Sequence, residues 1–224
     1  MNKRKVLIFA NTLWFINRFK SSLINDLLTK DYEVNVIYFR KGPVRDLKKL
    51  DLNKYSIKIQ NFFFFFLEQF FKIKRNGNKK SNILLSFTVG PIIVSSLPFF
   101  RNYKRFATLE GLGRIFTSRN IFFLLLKFFI KKFYKMIFYR NYDALFVLNH
   151  EDFSFILEFN LAPISKLFIL PGTGLDSSVY NPQNLFKERK KIGLIDQNGN
   201  FSNEFAYISY IGRISAEKGF FRFL

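Results

Sequence analysis

Short apolar runs recur along this chain with helix-periodic stretches between them, and that alternation limits the fold more than any other feature. Residues 5–10 (KVLIFA) are continuously apolar, as strands buried on both faces are, while residues 33–39 (EVNVIYF) alternate Val34, Val36 and Tyr38 as a strand does. Between them Asn11-Thr12 reads as a polar turn able to open a helix, and Phe19, Leu23, Leu27 and Leu28 fall at helical spacing. The order repeats. Strands are expected at 56–59, 83–87, 105–109, 144–148 and 166–170, and helices at 62–71, 91–100, 120–139 and 151–159. Pro91 enters its helix in the first turn, where the missing N–H costs little, and residues 75–81 (RNGNKKS) read as an exposed loop with Asn-Gly at its tip. This spacing predicts an α/β fold, a parallel sheet with helices on both faces, in which ligands bind beyond the carboxyl ends of the strands. No internal repeat of fixed period is present.

The 224 residues can hold one ordinary domain and part of another. A net charge of +20 points to an anionic partner, whether nucleic acid, a lipid surface or a phosphorylated substrate. Nucleic acid ranks last, because the chain has no helix-turn-helix, no aromatic platform on a strand and no metal knuckle. The 33 phenylalanines, alongside abundant Lys, Asn and Ile, reflect coding bias as much as function and carry little weight. Without cysteine there is no disulfide framework, which agrees with a cytosolic setting. Nor does any His, Asp or Glu cluster have metal-ligand spacing. The opening MNKRKVLIFANTLW imitates a signal peptide, but its apolar core is short and no small-residue cleavage site follows. No window is expected to span a membrane: Glu68 interrupts 62–71, and Lys127, Lys131, Lys132 and Lys135 interrupt 121–139.

Several loops carry residues with chemical potential. Residues 207–219 (YISYIGRISAEKG) read as a short buried strand followed by a turn at Gly212, with Arg213 and Lys218 bringing two cations to one mouth suited to a diphosphate. Residues 171–182 (PGTGLDSSVYNP) follow the last strand of the first domain and, taken alone, are a loop of turn residues. Glu110, the one carboxylate near the end of the fifth strand, lies in the run TLEGLGRIF, whose glycines would allow close backbone approach. His150, the single histidine, sits beside Asn149 and Asp152 and reads as a capping or surface residue.

Taken in order, five stretches resemble nucleotide-sugar glycosyltransferases of the family-4 type, which pair two Rossmann-like domains in the GT-B arrangement. WFINRFKSSLINDLL is similar to the first loop and helix, with Lys20 where members often have Arg and Ser22 where they have Pro. LLSFTVGP is similar to the fourth strand and its turn, and TLEGLGRIF to the loop of the subgroup that elongates polyprenyl-diphosphate-linked sugars. PGTGLDSSVYNP is similar to the segment joining the two domains, and YIGRISAEKG to the opening of the donor domain. Many relatives outside this subgroup carry a His near the Glu110 loop, and this chain does not.

This resemblance implies an amino-terminal acceptor-side domain over residues 1–185, a linker over 186–206 and the first strand of a donor domain over 207–224. The chain stops five residues after Gly219, so that second domain is expected to be almost wholly absent and these residues alone to transfer little or no sugar. The implied activity is retaining transfer from a nucleotide sugar, commonly a UDP-sugar, to a lipid-linked sugar or surface glycan, without metal or other cofactor. Gly212, Arg213 and Lys218 match the positions that hold the donor diphosphate, where fixed cations would stabilise charge building on the departing phosphate. Asn11, Thr12, Lys20, Gly111, Gly113 and Arg114 fall on acceptor-side loops. Glu110 is the candidate to touch acceptor or donor sugar; alternatively it caps the next element or pairs with a nearby cation.

The helix at 120–139 places Lys127, Lys131 and Lys135 along one face with Lys132 beside them, and Phe122, Leu126, Phe129, Phe133 and Ile137 on the other. Phe128 and Phe138 fall among the lysines, which suits a helix lying in a lipid interface; a buried helix with a solvated basic face is the alternative. With an acceptor of this class, the expected location is peripheral, on the inner face of the cytoplasmic membrane. A non-catalytic basic module that binds membranes or a partner is the competing function.

Overall fold

The protein is described from a computed structural model over residues 4–42, 57–72, 82–111, 121–174, 210, 214 and 219–223, with backbone alone at 69–72, 121–127 and 223. The chain divides into two compact units, Met1–Gly174 and Leu175–Leu224.

In the first unit, β1 (Lys5–Thr12) lies inside a seven-stranded sheet, and every neighbouring pair of strands is parallel. The remaining strands are β2 (Glu33–Arg40), β3 (Lys58–Asn61), β4 (Ile83–Phe87), β5 (Lys104–Leu109), β6 (Ala144–Val147) and β7 (Leu167–Ile169). Their order across the sheet is β3-β2-β1-β4-β5-β6-β7, a Rossmann-like α/β architecture that reverses direction between β1 and β4. The sheet follows from the sequence. Val6 through Ala10 are all buried because β1 has a strand on either side and helices on both faces.

Strand register sorts the side chains into two layers. Val6, Ile8 and Ala10 share one face with Val34, Val36, Tyr38 and Phe87, and there α1 (Leu13–Phe19) and α2 (Ser21–Thr29) bury Leu13, Ile16 and Ile24. Leu7, Phe9, Ile37 and Leu84 point to the other face, where α3 (Phe62–Lys72) supplies Phe65. On that same face Ala107, Leu109, Leu145 and Val147 pack under α4 (Val89–Ser95), α5 (Ile121–Asn141) and α6 (His150–Glu158). A buried hydroxyl chain ties this half together. Ser95 Oγ lies 2.6 Å from both Ser86 Oγ and Tyr142 Oη, and Tyr142 donates to the Ile92 carbonyl at 2.6 Å. Burial pushes the Tyr142 phenol up to about 12.

Element boundaries differ from the sequence expectation at physically informative places. Asn11 and Thr12 extend β1, and Thr12 also caps α1 by accepting the Phe15 N–H at 3.1 Å. The expected first helix is two helices, broken at Lys20 (φ −125°, ψ 5°), whose N–H reaches the Ile16 carbonyl and whose carbonyl accepts from Ile24. The third strand is shifted to 58–61. The expected 91–100 helix ends at Ser95 and resumes as a 3-10 turn, Pro98–Phe100, because Pro98 cannot donate to a continuing helix. Asn149, not His150, caps α6, accepting the Asp152 N–H at 2.7 Å, and His150 is exposed.

Of the second unit, Tyr210 meets Phe220 edge-on at 5.2 Å, ahead of a short helix, α7 (Phe220–Phe223). Gly113, Arg114, Gly212, Arg213, Lys218, the loop at 75–81, the linker at 186–206 and, Tyr210 apart, the strand expected at 207–211 lie outside the described residues.

Candidate functional site

The carboxyl ends of β1, β4 and β5 lie side by side at and next to the point where the strand order reverses. β1 ends in Asn11 and Thr12, β4 runs into Thr88, and β5 runs into Glu110 and Gly111. Into this edge the break between α1 and α2 directs Lys20. Its ammonium lies 3.1 Å from Glu110 Oε1, with side-chain exposures of 8% for Lys20 and 15% for Glu110. The ammonium also stands 4.5 Å from the centre of the Phe87 ring and 5.4 Å from that of Phe15.

The ion pair is not a well-formed hydrogen bond. Oε1 of Glu110 is buried with no aligned donor, although the Lys20 ammonium is within contact distance, so charge rather than directed bonding holds the two. Such a carboxylate retains acceptor capacity for a hydroxyl or amide brought to the edge. Gly111 follows with φ +132°, in the left-handed half of backbone space that glycine enters freely, and among the described residues a Cβ there would meet nothing within 4 Å.

Backbone strain gathers at the same place. Thr88 adopts φ 69° and ψ 159°, a region that glycine enters and β-branched residues avoid, at a cost of about 1–3 kcal/mol. Two backbone bonds hold it there, from Thr88 N–H to the Thr108 carbonyl and from Ile92 N–H to the Thr88 carbonyl, each 3.2 Å. Its Oγ1 is buried and has no hydrogen-bond partner among the described residues. Two residues on, a Cβ at Gly90 would sit 2.9 Å from Asn11 Oδ1 and 3.3 Å from the Phe39 ring, so glycine permits the close approach of α4 to the end of β1.

The structure therefore brings together Lys20 and Glu110, and sets Asn11, Thr12 and Gly111 along the same sheet edge. Of the readings open for Glu110, the pairing with a cation is realised. Thr88, Phe87 and Phe15 are site residues that the sequence did not single out. They lay within the stretches WFINRFKSSLINDLL and LLSFTVGP without a role of their own, and a threonine carries no mark of positive φ.

A second feature lies on α5 and corrects the expected helix faces. Ile130, Tyr134, Ile137 and Phe138 face the core, while Phe128 and Phe129 are each 65% exposed and Phe133, Met136 and Tyr139 are exposed with them. Phe129 and Phe133 thus face outward instead of inward, and Phe138 is buried instead of lying among lysines. The cause is packing: the Tyr134 and Phe138 rings meet at 5.4 Å with their planes tilted by 47°, and both are buried with Ile92, Ala107 and Leu145. Lys132 and Lys135 remain exposed, but Lys131 folds down over the Phe159 ring of the neighbouring segment at 3.0 Å. The Lys127, Phe122 and Leu126 side chains lie outside the described residues. Among the described residues, no helix is long and apolar enough to cross a membrane, and no three His, Cys, Asp or Glu side chains could share a metal ion.

In comparisons with known proteins, no family model matches this chain and no curated protein matches it.

Proposed function

We propose that residues 1–174 form the acceptor-side domain of a retaining glycosyltransferase that moves a sugar from a nucleotide donor, a UDP-sugar, to a polyprenyl-diphosphate-linked sugar or surface glycan. The observation that carries this reading is the Lys20–Glu110 pair at the sheet edge, bordered by a positive-φ glycine and a strained threonine. In this reading Glu110 accepts a hydrogen bond from a sugar hydroxyl and fixes its direction. Lys20 holds that carboxylate in place. Arg213 and Lys218, beside Gly212, take the donor diphosphate, and no metal is needed because the two cations offset the charge on the leaving phosphate. Gly113 and Arg114 complete the acceptor loop. Work on such an acceptor places the domain on the inner face of the cytoplasmic membrane, with the lysines of α5 drawn to its anionic headgroups.

Calorimetric titration of the 224-residue chain with a short-chain polyprenyl-diphosphate N-acetylhexosamine tests the reading. Saturable binding is expected, weakened about tenfold in Glu110→Gln through loss of one charged hydrogen bond. No binding, or equal binding by the variant, would refute it. The exposed aromatic and basic arc of α5 also fits a second function, a non-catalytic membrane or partner module. That alternative predicts vesicle binding with no affinity for the sugar.

A further inference from the structure

We infer that the outward arc of α5 is a seat for an anionic lipid surface, in which the aromatic rings enter the interface and the cations between them meet headgroups. The inference deepens the membrane partner named above and rests on that part of the reading, not on the sugar chemistry. At 100° per residue, Phe128, Lys132, Lys135, Met136 and Tyr139 fall within one third of the helix circumference, and Phe129, Phe133 and Arg140 border it. The core stripe occupies the opposite side, so none of these rings is needed for packing against the sheet. Phe128 and Phe129 meet edge-to-face at 5.8 Å while 65% exposed, an apolar surface that a water-facing helix has no reason to keep.

Charge selects the occupant. From Ile121 to Asn141 the helix has no acidic residue, and Lys132, Lys135 and Arg140 are exposed. Two copies of this face brought together would oppose like charges, on a chain already at +20. A nucleic acid would satisfy the charge, but single strands stack their bases in grooves, and one convex helix offers none. Anionic lipid matches both halves of the pattern: apolar depth for the rings and phosphate for the cations. The patch on α3, where Phe63 and Phe64 are 61% and 66% exposed, differs in kind. Its neighbour Lys58 is engaged with Glu68 at 2.6 Å.

Co-sedimentation of the full chain with phosphatidylcholine vesicles, with and without phosphatidylglycerol, at low and high salt, tests the assignment. Binding to the anionic vesicles that falls with salt is expected. Lys132→Gln with Lys135→Gln should weaken it about thirtyfold, and Phe128→Ser with Phe129→Ser at least about tenfold. Circular dichroism should show both variants folded, since every altered side chain is exposed. Phe63→Ser with Phe64→Ser should leave binding within about twofold of the parent. Four results would overturn the inference: equal binding to neutral vesicles, no loss in either α5 variant, an equal loss in the α3 variant, or tighter binding to a mixed-sequence oligonucleotide than to anionic vesicles. Vesicle binding through α5 without affinity for the prenyl-diphosphate sugar would leave this inference standing and remove the sugar-transfer reading; sugar binding without vesicle binding would do the reverse.

Discussion

Replacing Lys20 with Met keeps the length and much of the volume of the side chain while removing its charge, and this isolates what the ammonium does for Glu110. At 3.1 Å the attraction between unit charges is about 5 kcal/mol at an effective dielectric of 20, an upper bound before desolvation is subtracted. Breaking a buried pair from one side costs about 3–5 kcal/mol, because the remaining charge loses its partner. Here the lower end applies. Glu110 keeps 15% exposure, so water partly compensates its carboxylate, and no directed hydrogen bond is lost from Oε1. The weak attraction of the ammonium to the Phe87 and Phe15 rings adds about 1 kcal/mol or less. Lys20→Met should therefore destabilise the protein by about 3 kcal/mol in urea unfolding at neutral pH. Lys20→Met combined with Glu110→Gln should recover most of that loss, because no charge is left stranded. The double-mutant cycle should show a coupling of about 2 kcal/mol. A single-variant loss below about 1 kcal/mol, or strict additivity, would refute the claim that charge pairing holds Glu110 at the sheet edge.

Three further outcomes follow from the geometry. Thr88→Gly should raise stability by about 1 kcal/mol, since relief of the positive-φ strain exceeds the added flexibility of the unfolded chain; a loss in thermal unfolding would show that the strain is absent. Phe138→Ala should cost about 3–5 kcal/mol and Phe128→Ala less than about 0.5 kcal/mol, and equal effects would contradict the described phase of α5. At alkaline pH the Tyr142 phenol, raised from 10.0 to about 12, should weaken the fold. Below pH 10 both states are protonated and stability is unaffected. Between pH 10 and about 12 the unfolded chain ionises first, removing up to about 2–3 kcal/mol, and Tyr142→Phe should flatten that decline in base titrations followed by circular dichroism.

The sheet was legible because its strands are apolar runs of the right length, and 83–87 was placed to the residue. Helix breaks were harder. Nothing in the sequence around Lys20 marks an interruption; neither glycine nor proline is present, and the joint is set by a side chain that turns inward toward β5. Lys20 and Glu110 were both singled out, yet their contact depends on β1, β4 and β5 becoming neighbours, which no local pattern encodes. The phase of α5 was misassigned for a different reason. Aromatic residues occur nearly all round that helix, so periodicity alone could not decide which rings face the core, and the burial of Tyr134 and Phe138 against the sheet decided it instead.

Among the described residues, the two rims of the sheet are β3 and β7, with only four and three residues. A foreign strand seeking to extend the sheet would find few unpaired amides at either border, too few to template growth. For a chain carrying 33 phenylalanines, that brevity is a safeguard against fibrillar self-association, which lengthening either rim would remove.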